Sequence, residues 1–127
     1  MAEFMKPYNS QTYALMRIIV GLLFLCHGLS KLFHFPTAPP PGAPAFVIYG
    51  AGSIELVCGA LVAVGLLTHW AAFIASGQMA VAYWLAHGTK SLLPIANQGE
   101  LAVLYCFVFL FVSSQGPGIW SLDAARG

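Results

Sequence analysis

Eight polar side chains stand where hydrocarbon is expected. Arg17, His27, Lys31, Glu55, Gln78, His87, Glu100 and Gln115 lie inside or at the ends of long apolar runs. Ionisable groups at membrane depth are costly, so they pair, line a cavity or carry function. The residue types in this set suit proton and charge chemistry. Imidazole titrates near neutrality, so His27 and His87 could carry protons or hydrogen-bond a carbonyl oxygen. Glu55 and Glu100 could receive or relay protons, and Lys31 could stabilise negative charge developing on a substrate. Two His and two Glu could also make a metal set, but the Glu-x-x-His spacing of di-iron bundles is missing. Cys58 stands three residues after Glu55, and Val103 three after Glu100. No metal site is therefore expected, and a haem between His27 and His87 is a minor alternative.

Each residue also has a plainer reading. Arg17 and Lys31 are about 21 Å apart along a helix, so each would lie within reach of a headgroup layer and snorkel to it. A membrane histidine often only hydrogen-bonds a neighbouring helix. Glu55 has too short a side chain to snorkel far, so it must be protonated, paired with Lys31 or His27, or facing a polar cavity. Such a pair could still serve packing rather than chemistry.

The elements that must position these groups follow from composition. Of 127 residues, 59% are hydrophobic and 7% charged, a membrane composition in a chain short enough for one domain. Apolar stretches at about 13–33, 46–67, 70–87 and 97–113 are each long enough, or nearly so, to cross a bilayer. The expected fold is all-α, an integral membrane four-helix up-down bundle. A Pro-rich connection, Pro36 to Pro44, includes Pro39-Pro40-Pro41, which suits an extended linker. The break at Thr68-His69 is so short that the flanking helices must be antiparallel neighbours. Gln115-Gly116-Pro117-Gly118 ends the last span. The first run shows no A-x-A cleavage site and reads as a retained helix rather than a signal peptide. Cys26, Cys58 and Cys106 have neither C-x-x-C nor zinc spacing and read as small residues at helix contacts. Five Lys and Arg cannot make the basic stripe that nucleic acid needs.

Connectivity then sorts the polar residues by depth. One face, here side A, carries both termini and the 68–69 turn; side B carries the other two loops. His27, Lys31, His87, Asn97 and Glu100 fall at side B ends, with Glu55 about 14 Å deeper. Ser76, Ala80, Tyr83 and His87 share one face of the third span, with Gln78 roughly opposite. Asn97, Glu100, Leu104, Phe111 and Gln115 form one stripe of the fourth. Lys6, Arg17 and Arg126 on side A against Lys31 and Lys90 on side B lean towards cytoplasmic termini.

Four stretches together resemble the DoxX family of small bacterial four-helix membrane proteins. They are Arg17-x-x-x-Gly21-x-x-Phe24-x-x-His27-Gly28-x-x-Lys31-Leu32-Phe33, then Glu55-x-x-x-Gly59 with Val64-Gly65-Leu66-Leu67-Thr68. Asn97-x-Gly99-Glu100-Leu101 and Gly116-Pro117-Gly118-x-Trp120-Ser121-Leu122-Asp123 follow in the family's order. The resemblance implies a protein of the bacterial cytoplasmic membrane and an association with quinone-linked redox systems. On that footing the expected function is a membrane subunit of a quinone-linked oxidoreductase system. His27, Lys31, Glu55, His87 and Glu100 would serve its chemistry, and His27, Glu55, Tyr83, His87 and Asn97 would bind a quinone or small redox substrate in a polar intramembrane cavity. No flavin, haem or nucleotide motif is visible, so electrons are expected from a partner or a bound quinone. The expected partners are the lipid bilayer and a redox subunit or further copies in a homo-oligomer. A non-catalytic assembly or anchor subunit, or a small proton-coupled transporter, are the rival expectations.

Overall fold

The computed structural model describes residues 3–39 and 41–127; Pro40, in the triplet expected to be extended, lies outside them. Every regular element among these residues is helical. Four are long: α1 (Asn9–Phe33), α2 (Gly52–Val64), α3 (Thr68–Ala86) and α5 (Glu100–Gln115). Two are short: α4 (Pro94–Asn97) and α6 (Leu122–Arg126). A π-helical turn, Val47–Ala51, leads into α2. By length and composition the helical stretches Lys6–Phe33 and Val47–Val64 can each cross a membrane, while Glu100–Gln115 is apolar but shorter.

Glycine sets the register of α1 on α2. A Cβ at Gly28 would lie 2.5 Å from the Leu56 nitrogen, and one at Gly59 would lie 2.5 Å from the Leu25 nitrogen. Those neighbours are backbone and cannot yield, so only glycine allows the two helices to touch main chain to main chain. The pairing is antiparallel, and it places Lys31 beside Gly52, within reach of Glu55. A second antiparallel pair is α3 with α5. His69 Nδ1 donates to the Ser113 carbonyl, Ser113 Oγ donates to the His69 carbonyl, and Ser76 Oγ donates to the Cys106 carbonyl.

Between the pairs, Phe24, Cys58, Val62, Ala72, Ala75 and Phe109 form the core. Buried positions are mostly small, while Leu15, Leu23, Phe73, Leu104 and Phe107 are more than half exposed. Arg17, Glu55 and Asn97 are buried meanwhile. Large apolar groups outside and charges inside reverse the soluble pattern and suit a hydrocarbon surround.

Several boundaries differ from expectation. The turn between α2 and α3 is Gly65–Leu67 rather than Thr68-His69, with Gly65 and Leu67 both at positive φ (73° and 52°). Thr68 opens α3 instead of breaking it, because an Asp123 carboxylate caps that helix. Asn97 does not start the last long helix. It ends α4, and Gln98 at φ 63° reverses the chain before Glu100 begins α5. The expected stripe on that helix faces outward: Leu104 is 61% and Phe111 50% exposed. The cysteines divide, with Cys58 buried in the core and Cys26 exposed on the outer surface.

Candidate functional site

Three elements meet at a buried carboxylate. Glu55 is 1% exposed. From α1, Lys31 Nζ donates to both of its oxygens, at 2.7 and 3.1 Å. From α3, Gln78 Nε2 donates to Oε2 at 3.2 Å. The other amide atom, Gln78 Oε1, is buried with no partner among the described residues. The ion pair thus has the hydrogen-bonded geometry that makes a buried charge tolerable. It leaves one unsatisfied acceptor beside it.

This cluster forms the floor of a cavity of about 470 Å³, a size that suits a small organic ligand. Phe24, Ile54, Met79, Ala82 and Tyr105 supply apolar wall. His27 faces the cavity and sits edge-on to Tyr105, with ring centroids 5.7 Å apart. It makes no hydrogen bond to a described residue, so both ring nitrogens are available. His87 reaches the same cavity from the end of α3. Its Nδ1 donates to the Asn97 carbonyl at 3.0 Å, which fixes the tautomer and leaves Nε2 as an acceptor.

Four of the residues expected here therefore converge: His27, Lys31, Glu55 and His87. Gln78 joins them, against the expectation that it points away from His87. Nine helical residues do separate the two by half a turn. His87, however, is the residue that ends α3, with non-helical φ −127°, and the cavity is wide enough to touch both. Glu100 does not join. It is exposed, because the reversal at Gln98 turns the first residue of α5 away from the cavity. Tyr83 and Asn97 are not on the cavity wall either. Asn97 Nδ2 donates to Tyr83 Oη and to the Ser91 carbonyl, and Asn97 Oδ1 accepts from the Gly99 N–H. They tie the loop between α3 and α5 and so hold His87 in place.

Arg17 makes a second buried cluster at the opposite end. It is wholly buried rather than snorkelling. Its guanidinium donates to four carbonyls, those of Val62, Pro117, Ile119 and Trp120. The C-terminal segment is thereby strapped across the ends of α1 and α2. Asp123 completes the strap, accepting from Leu67 N–H, Thr68 N–H and Thr68 Oγ1, each at 3.0 Å. Those donors hold its carboxyl below the usual carboxylate range, the Thr68 N–H contributing most.

The DoxX family profile matches residues 12–88, the stretch that carries His27, Lys31, Glu55, Gln78 and His87. The chain belongs to the DoxX family. An uncharacterized protein of Haemophilus influenzae is 40% identical over 125 residues, covering 94% of this chain and 93% of that one. An uncharacterized membrane protein of Mycobacterium tuberculosis is 34% identical over 128 residues, covering 85% of this chain and 77% of that one. No solved structure matches. As a DoxX-family membrane protein, the chain has the apolar exterior described above facing lipid. Sequence reasoning missed Gln78 because it relied on helical phase. The signal that could have found it was depth, since Gln78 and Glu55 sit at matching distances from the α2–α3 turn.

Proposed function

We propose that this DoxX-family protein is a multi-pass four-helix up-down bundle of the bacterial cytoplasmic membrane, with its termini on the cytoplasmic side. In this reading it is a membrane subunit of a quinone-linked oxidoreductase system, and the cavity holds a quinone head group. The observation that carries the reading is a hydrogen-bonded ion pair at the floor of a largely apolar cavity. The lining fits such a group. Ile54, Ala82 and Tyr105 offer apolar surface, and Lys31, His27 and Gln78 offer polar atoms beside it.

A bound quinone would supply the capacity to take up two electrons and two protons at its carbonyl oxygens. The chain's own residues would bind and orient it. Lys31 has three N–H donors, so one can turn from Glu55 towards a carbonyl oxygen and favour negative charge there. His27 can donate a proton, and His87, with Nδ1 engaged by Asn97, can pass one through Nε2. Glu55 keeps Lys31 charged and in place. Electrons would come from a partner redox subunit.

Lipid extraction and mass spectrometry on gently purified protein test this, with wild type beside His27→Ala and Glu55→Gln. A quinone retained by wild type and lost from folded variants supports the site. A second reading is a non-catalytic assembly or anchor subunit. It is favoured by the fact that the ion pair joins the same two helices that glycine already locks together. Absence of quinone from every sample, with the variants merely less stable, would select it. Substrate-dependent proton flux in liposomes would point instead to a small proton-coupled transporter.

A further inference from the structure

The cavity has two edges of opposite character. On the loop side, the way out passes His87, where four hydrogen bonds made by Asn97 tie the chain between α3 and α5. On the other side lies the junction of α2 and α3. The Gln78 amide donates to Glu55, so the α3 face carrying Gln78 looks at α2. Val81, Ala82 and Leu85 follow Gln78 at i+3, i+4 and i+7 and share that face. Val81 is 59% and Leu85 62% exposed, yet both also line the cavity. Nearer the α2–α3 turn this side of α3 buries Ala71 and Ala75, while Ile74 is 48% exposed. Beyond the Gln78–Glu55 contact the cavity is lined from both helices and reaches exposed side chains on each side.

Val47, Ala51 and Ile54 edge the gap on the α2 side, with Phe46, 65% exposed, at its corner. The π-helical turn Val47–Ala51 forms much of that edge, an irregularity frequent at functional sites. All these side chains line the same cavity as Lys31 and Glu55. Leu85 lies about 10 Å along the axis from Gln78, so in a bilayer the gap opens among the acyl chains of one leaflet.

We propose that the cavity is entered sideways from the lipid between α2 and α3, and that its ligand is a quinone whose long apolar tail stays in this gap while its head sits at Lys31 and Glu55. The proposal rests on the quinone reading above and adds the class of quinone and its route. A tail against Phe46, Val81 and Leu85 contributes apolar burial, whereas a tail-less ring reaches only the floor.

The test uses the whole chain in lipid nanodiscs and two probes: a benzoquinone with a ten-carbon chain and the same ring with a methyl group instead. Binding is measured for wild type, Val81→Trp, Leu85→Trp and Phe46→Ala. The substituted positions are exposed, so the fold should tolerate them. Wild type is expected to prefer the tailed probe. Either Trp variant should fill the gap and weaken the tailed probe about tenfold while leaving the methyl probe unchanged. Phe46→Ala should weaken the tailed probe alone, by a smaller factor. Equal binding of both probes, insensitive to all three variants, overturns the lateral route and leaves the quinone site standing. Failure of both probes to bind wild type overturns the quinone reading, and the route with it.

Discussion

Arg17 and Glu55 are both fully buried charges in one small membrane protein, yet their surroundings differ in kind. Arg17 spends its donors on four main-chain carbonyls and does not line the cavity that Glu55 floors. Glu55 meets side chains from two other helices, at the bottom of a cavity, next to an amide oxygen with no partner. A charge consumed by backbone fixes where chain segments lie. A charge held by movable side chains at a cavity wall can respond to a ligand. The Arg17 end is a strap and the Glu55 end is a candidate site.

Removing each charge should separate the two roles. Arg17→Met leaves four carbonyls without their donor and is expected to cost about 3–5 kcal/mol of stability. Unfolding in detergent should show the loss, while quinone retained per folded molecule stays at the wild-type level. An equal fall in retention would erase the distinction between the two ends. Glu55→Gln is expected to cost less, about 1–3 kcal/mol, because Lys31 is partly exposed to the cavity and can turn away. Its retention of ligand should nevertheless collapse.

The double variant Lys31→Met with Glu55→Gln sharpens the contrast further. Replacing both partners of a buried pair removes the unpaired charge, so stability should recover by about 1 kcal/mol over Glu55→Gln alone. Ligand binding should not recover. Recovery of both would make the pair a packing device, in line with the assembly-subunit reading.

The smallest effect concerns the strap's other anchor. The Asp123 carboxyl is held below the usual range by the Thr68 and Leu67 donors. A carboxylate lowered in the folded state binds fewer protons folded than unfolded. Its stabilisation is therefore full above the unfolded value, about pH 4, and is lost as pH falls through the folded one. Asp123→Asn should cost on the order of 0.5 kcal/mol at neutral pH, the usual cap value being discounted for solvent screening. It should also flatten the acid limb of the stability profile, measured as melting temperature from pH 6 down to pH 3.

Much of the helical layout was legible because its causes are local. Apolar runs, the proline connection and the glycine stop place the long helices, and residues 12–88 tie the chain to the DoxX family. Lys31 was readable as one of two possible partners for Glu55, with His27, and the structure selects it. Misreadings arose wherever a partner came from far along the chain. Arg17 looked free to snorkel because its acceptors lie about a hundred residues away, in the strap. Thr68 looked like a break because its cap, Asp123, is 55 residues distant.

By itself, then, the sequence determined that this chain buries charge among apolar helices, and which residue types would do so. The reason is energetic and local: hydrocarbon tolerates few such groups, so each stands out against its neighbours. Only the tertiary structure decided which charges face a cavity and which are locked to backbone. That choice depends on the glycine-set register of α1 on α2, on the cavity left between α1, α2 and α3, and on the reversal at Gln98 that turns Glu100 away. Each is a contact or a separation between segments that no helical period encodes.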